Sequence, residues 1–303
     1  MWVTVVPGGG AMPVRYRWAR YAKKTAQSAD DEGLHYDASF LKSADRTEIL
    51  NWLRQLKPIW ENRFADGRPP PEGQVQRRLL RPVYWLGSWQ FACLDYYRPP
   101  HGVLNRAVLA EPYPAVLGRL VNEIEGLTRS LFNPRDIPPE WALTTCLVNL
   151  YGKSRGPEGW VDTARVGEHR DFEPGPVASL SLGERALFQF VSSKRPGERD
   201  GVVKQQWLDD GSLQIFGGDR WKKRTFHRVQ RVDTRDKHQF AVDVADFETR
   251  RVNFTFRFVP REHVVRFRDL PQQQRADVQG YMKTLALSSP FFAGELADEP
   301  RDS

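Results

Sequence analysis

The chain has 303 residues, with 45 basic against 38 acidic side chains and a formal charge of +7, and its sequence pI is near 9.5. Apolar residues at 40% and aromatics at 12% exclude a largely disordered chain and are enough for a packed core. The basic surplus suits a polyanionic partner and serves solubility equally well. The two cysteines, Cys93 and Cys146, have neither metal nor disulfide-framework spacing, which fits a reducing cytoplasm. No apolar run reaches the ~18 residues of a membrane span, and the opening residues make a poor signal peptide, so no membrane partner is expected. The expectation is a soluble, cytoplasmic monomer.

Residues 1–30 form an arm in which Arg15, Arg17, Arg20, Lys23 and Lys24 are interleaved with Tyr16, Trp18 and Tyr21. Such a pattern suits phosphate contact and base stacking, or a terminus packed on the surface. From Leu34 the chain reads as a strand followed by a helix. Asp45 and Glu48 have capping-box spacing, and Ile49, Leu50, Leu53 and Leu56 recur at helical intervals up to Pro58. Residues 65–76 read as a loop, and an amphipathic helix fits 115–131. Short strands follow at 143–151, 177–182, 186–191, 212–216, 238–244 and 251–259. The fold class is α+β, with four segments: the arm 1–30, a helical region 31–140, a β-rich region 141–260, and an extension 261–303.

The chemistry is concentrated in the β-rich half. In an extended run, His169, Asp171 and Glu173 share one face. A His and an Asp two apart, joined by a distant His, make a facial triad that leaves three octahedral positions on iron open. Taken alone, His-x-Asp also fits an ordinary polar strand. The context is richer: Asn149 and Tyr151 alternate upstream, and His227 follows Gly217-Gly218. In 251–257, Arg251, Asn253, Thr255 and Arg257 share one face, with Val252, Phe254 and Phe256 on the other. The polar face belongs either in water or in a barrel interior. In the interior two arginines require an anion, and a dicarboxylate pairs with guanidinium forks.

His169-x-Asp171, His227 and Arg251-x-Asn253-x-Thr255-x-Arg257, in that order, resemble the pattern of the AlkB family of Fe(II)/2-oxoglutarate-dependent dioxygenases. Val177–Gly183 and Phe188-Gln189-Phe190 resemble the AlkB strands that follow the iron motif. The likeness is strong over 141–260 and loose over 34–140, and it implies a catalytic core in 141–260 and a nucleotide-recognition lid within 31–140. It implies a double-stranded β-helix (jelly-roll) core with N-terminal helices packed on it. It further implies Fe(II) on His169, Asp171 and His227. Arg251 would then pair with the distal carboxylate of 2-oxoglutarate, with Asn149, Tyr151, Asn253 and Arg257 around the co-substrate. With the carboxylate of Asp171 present, the implied chemistry is hydroxylation by O2 rather than halogenation. A hydroxymethyl group formed on a base nitrogen would then leave as formaldehyde.

The implied substrate is alkylated DNA or RNA. Glu173 sits where the family places an acid near the exocyclic amine of the flipped base, or it is a solvent carboxylate at a strand end. Lys194-Arg195 stands where an arginine lines the substrate pocket, or on a solvated loop. Trp85 or Trp89 would stack on a flipped base, or belong to the core. Lys222, Lys223 and Arg224, shortly before His227, would contact phosphates or simply face solvent. Two other readings stay open: an AlkB-like hydroxylase acting on protein, modified RNA or a small molecule, and a binding module with a silent oxygenase fold.

Overall fold

The computed structural model describes residues 32–63, 77–90, 107–162, 165–192, 201–232 and 240–297. The expectations for the arm 1–30, the loop 65–76 and Arg195 lie outside them. In chain order the elements are β1 (Leu34–Asp37), α1 (Ser43–Leu53), β2 (Asn62–Arg63), β3 (Arg77–Arg78), β4 (Val83–Leu86), β5 (Ser88–Trp89), β6 (Ala107–Leu109) and α2 (Ala115–Leu131). The β-rich half follows with β7 (Thr145–Gly156), β8 (Gly159–Asp162), β9 (Val166–His169), β10 (Val177–Gly183), β11 (Ala186–Ser192), β12 (Val202–Leu208) and β13 (Leu213–Phe216). A wide helical turn, Asp219–Arg224, leads into β14 (Thr225–Val232) and β15 (Phe247–Arg257). The chain closes through β16 (Val264–Val265), α3 (Gln272–Ala286) and α4 (Pro290–Ala297).

Two antiparallel sheets make the frame. The larger runs β1-β13-β10-β15-β7-β4, with β8 added on β7, and the smaller runs β12-β11-β14-β9. β15 lies at the middle of the larger sheet and is buried on both faces. Val252, Phe254 and Phe256 enter the main apolar cluster, which includes Ile49 and Leu53 of α1 and Leu117, Leu120 and Ile124 of α2. Arg251, Asn253 and Arg257 alternate with them and are also buried, on the face toward the smaller sheet. α2 has the predicted bounds because its apolar residues recur at helical spacing and bury one side.

A register shift between Thr249 and Arg251, opposite β7, bends β15 just before its functional run. Gly152 fits that bulge because a Cβ there would lie 1.7 Å from Glu248 O. Gly87, at φ +73°, makes the turn between β4 and β5 against Thr144 O, where a side chain would clash.

Several local expectations are corrected. The N-cap of α1 is Lys42 and carries no side-chain cap. Asp45 and Glu48 do not form a capping box there; both hold Arg119 of α2, the Glu48 oxygens at 2.8 and 2.9 Å and Asp45 at 3.3 Å. α1 also ends at Leu53, short of Pro58. Residues 240–244 form no strand, although Phe240 and Val242 are buried. Their alternation serves packing on the core rather than ladder pairing. Strands at 159–162, 202–208 and 225–232 were not anticipated, and the extended run expected at His169–Glu173 is instead a strand over Val166–His169. Among the described residues, no helix is long and apolar enough to cross a membrane.

Candidate active site

β9 and β14 are neighbours, with His169 directly across from His227. The two rings lie 4.3 Å apart, centre to centre. β9 stops at His169, so Asp171 and Glu173 sit in the following irregular segment and not on the expected strand. Asp171 still turns inward because Arg257, at the end of β15, donates Nε to its Oδ1 at 2.8 Å. Oδ2 accepts no hydrogen bond from the described residues and lies 3.3 Å from His227 Nε2. One ligand atom from each of His169, Asp171 and His227 lies within 4.8 Å of the others.

The protonation pattern suits a cation. His169 Nδ1 lies 2.7 Å from Gly167 O. A carbonyl only accepts, so Nδ1 carries the proton and Nε2 offers its lone pair. Burial lowers the His169 pKa, and burial with His169 nearby lowers His227 to about 3. Burial would raise Asp171, but Arg257, the two histidines and Lys222 hold it well below the usual carboxylate range. Two neutral imidazoles and one carboxylate, all borderline or hard donors, are the donor set of an octahedral iron(II) site with open positions. Phe188 stacks on the His227 ring at 5.4 Å, and Phe216 meets it edge-on at 5.1 Å. These rings give the site a dry wall.

Beside the triad is a cavity of about 50 Å³, lined by His169, Asp171 and His227 together with Asn149, Tyr151, Arg251, Asn253 and Arg257. Eight residues anticipated from the sequence thus meet at one place. Arg251 is 1% exposed, and burial lowers its pKa to about 10. Its Nη1 donates to Glu184 O and Leu208 O, and its Nη2 to Ser181 Oγ, while Nε has no hydrogen-bond partner among the described residues. A buried cation with a donor left over, in a cavity lined by amides and hydroxyls, fits an anionic guest such as a dicarboxylate.

A second, open cavity of about 780 Å³ adjoins the first and shares Asp171 with it. Its walls are Pro134–Pro139, Arg170–Gly175, Gly218, Lys222 and Lys223. Glu173 lines this cavity, 3% exposed. Among the described residues neither of its carboxyl oxygens has a hydrogen-bond partner on another residue, and Arg257 Nε lies 3.7 Å from Oε1. Burial raises its pKa, with Arg257 opposing and Asp171 adding to the rise.

Two substrate expectations are overturned. Trp85 and Trp89 are each 0% exposed in the main core, and both donate Nε1 to Glu61 Oε1 at 2.7 Å. They line neither cavity, and a ring held this way cannot stack on a guest base. Lys222 is buried as well, donating to Glu173 O and Gly175 O, so it ties a loop and does not face phosphate. Lys223 remains exposed, and Arg224 pairs with Asp219. Sequence reasoning missed Arg81, Ser179 and Phe188 on the first cavity. Ser179 and Ser181, two hydroxyls alternating within an otherwise apolar buried strand, were the available signal.

A family model described as the 2OG-Fe(II) oxygenase superfamily matches residues 33–257, from the edge of β1 to the last residue of β15. The chain belongs to this superfamily. It is therefore an Fe(II)/2-oxoglutarate-dependent dioxygenase, using iron(II), 2-oxoglutarate and O2. Comparison with curated proteins gives no match. Among solved structures, one described as "The structure of OsALKBH1" is 22% identical, with a TM-score of 0.46, over 75% of this chain and 98% of that one.

Proposed function

We propose that the chain is an AlkB-type oxygenase with a double-stranded β-helix core, which oxidatively dealkylates alkylated bases in DNA or RNA. The observation that carries this reading is that Asp171 lines both cavities. A cation held by His169, Asp171 and His227 is thereby adjacent to an anion-binding chamber on one side and an open chamber on the other.

Each residue has a definable task. Arg257 occupies Asp171 Oδ1 and so reserves Oδ2 for the metal. Gly167 O fixes the His169 tautomer that leaves Nε2 free to coordinate. Arg251 takes the distal carboxylate of 2-oxoglutarate, and Asn149, Tyr151 and Asn253 surround the co-substrate. Phe188 and Phe216 keep water from the His227 side. In the open chamber the carboxyl of Glu173, which has no hydrogen-bond partner from any other of the described residues, accepts from the amino edge of a flipped base. Arg135, Arg170 and Lys223, exposed on the same cavity, meet the phosphates. Iron(II), with 2-oxoglutarate and O2, supplies oxygen insertion at the carbon on the base nitrogen, with succinate and carbon dioxide released.

The test is mass spectrometry of methylated DNA and RNA oligonucleotides, with succinate measured in parallel. Loss of the methyl mass matched by succinate is expected. Glu173→Ala should keep basal succinate release while losing demethylation. Succinate release that no methylated oligonucleotide changes would overturn the nucleic-acid reading.

A further inference from the structure

Arg81 enters the first cavity from the segment before β4. The pairing of β4 with β7 sets Val83 across from Asn149, and Leu150 N donates to Pro82 O at 3.1 Å. Continuing the same antiparallel register brings Arg81 opposite Tyr151. From this position its buried guanidinium reaches both β7 residues assigned above to the co-substrate. Nε donates to Asn149 Oδ1 at 2.6 Å. Cζ lies 5.7 Å from the centre of the Tyr151 ring, and Arg251 Cζ lies 5.9 Å from the same ring.

The direction of these bonds matters. An amide side chain has one accepting and one donating end, whereas a guanidinium only donates. With its oxygen taken by Arg81, Asn149 turns Nδ2 toward Thr255 Oγ1 at 3.4 Å, inside the cavity. Thr255 Oγ1 donates to Asn253 Oδ1 at 2.9 Å, and Asn253 Nδ2 donates to Ser179 Oγ at 2.8 Å. The chain of bonds across β7, β15 and β10 therefore has one sense, set at Arg81. A reversed Asn149 would present oxygen to a carboxylate guest, where it presents N–H now.

We propose that Arg81 is a positioning residue for 2-oxoglutarate, holding Asn149 with its amide N–H toward the co-substrate. This rests on the reading above that Asn149, Tyr151 and Arg251 surround that co-substrate. The test is calorimetric binding of 2-oxoglutarate to the full chain loaded with iron(II) without O2, alongside KM and kcat and the melting temperature. Arg81→Ala should weaken 2-oxoglutarate binding about tenfold, the scale of one charge-assisted hydrogen bond. Its kcat at saturating co-substrate and its iron content should stay near wild type. In an Asn149→Ala background the same change should add less than about twofold, because its target is gone.

Unchanged affinity in Arg81→Ala, beside a clear loss in Arg251→Ala, overturns the role of Arg81. Equal factors in the two backgrounds overturn it as well. Unchanged affinity in Arg251→Ala instead overturns the co-substrate reading itself. Should Arg81→Ala fail to fold, Asn149→Asp keeps an acceptor for Arg81 while replacing the inward N–H with oxygen. It must then bind 2-oxoglutarate weakly, and wild-type affinity in that variant overturns the proposal.

Discussion

Replacing Glu61 tests whether Trp85 and Trp89 are core rather than clamp. One carboxyl oxygen, Oε1, accepts from both indole nitrogens at 2.7 Å, and all three residues are at most 2% exposed. Glu61→Ala strands two buried N–H groups, each costing about 1–3 kcal/mol when no acceptor replaces the original one. Water entering the new space recovers part of that, so the expected loss is ~3 kcal/mol. For a chain of this size this lowers the melting temperature by about 5–10 °C. Glu61→Gln keeps an amide oxygen in place and should lose no more than ~1 kcal/mol. Thermal and urea unfolding of the purified variants read these values directly, and turnover of a methylated oligonucleotide at low temperature should be unchanged. A Trp85→Phe variant that melts like wild type but loses oligonucleotide affinity would refute the reasoning, since it would place the ring against substrate.

Arg251→Ala should weaken 2-oxoglutarate binding far more than oligonucleotide binding, because its buried guanidinium lines the small cavity and not the open one; calorimetry with each ligand separates the two. Neutralising Lys223 and Arg170 together should weaken binding of unrelated oligonucleotides alike. It should also reduce the slope of log affinity against log salt by about 0.7–0.9 for each phosphate that the protein no longer neutralises. Lys222→Ala should instead lower thermal stability, since Lys222 ties the carbonyls of Glu173 and Gly175. In the metal-free protein, His35, His169 and His227 all have folded pKa values below the ordinary 6.5, His227 at about 3. The unfolded chain therefore takes up protons first, and stability should fall as pH drops from 6.5 toward 3. Denaturant midpoints that stay level over that window would contradict the burial of these rings as neutral groups.

The legible parts of the sequence were those where one physical demand acts alone. α2 needs one apolar face, so its bounds follow from the period of Val116, Leu117, Leu120, Val121 and Ile124. β15 alternates charged and aromatic residues, which marks a strand between an apolar core and a polar chamber, and Arg251, Asn253 and Arg257 indeed line that chamber. β8 and β12 were hidden because they are largely exposed and carry no apolar alternation; their pairing is set by β7 and β11. The sequence 240–244 failed in the opposite way: Phe240 and Val242 alternate inward but pack without pairing. Trp85 and Trp89 were ambiguous because a strand buried on both faces shows no polarity contrast, and their partner Glu61 lies far upstream in sequence. Arg81 was visible only as one basic residue among several, since its place depends on a register between β4 and β7 that no local pattern encodes.

His169, Asp171 and His227 are expected to hold one iron between them. Anaerobic calorimetric titration of the full chain with iron(II), repeated on Asp171→Ala and His227→Ala, tests it most directly. One iron per wild-type chain is expected, with that binding lost in both variants and folding confirmed by their melting curves. Folded variants that bind iron(II) at wild-type stoichiometry and affinity would contradict it.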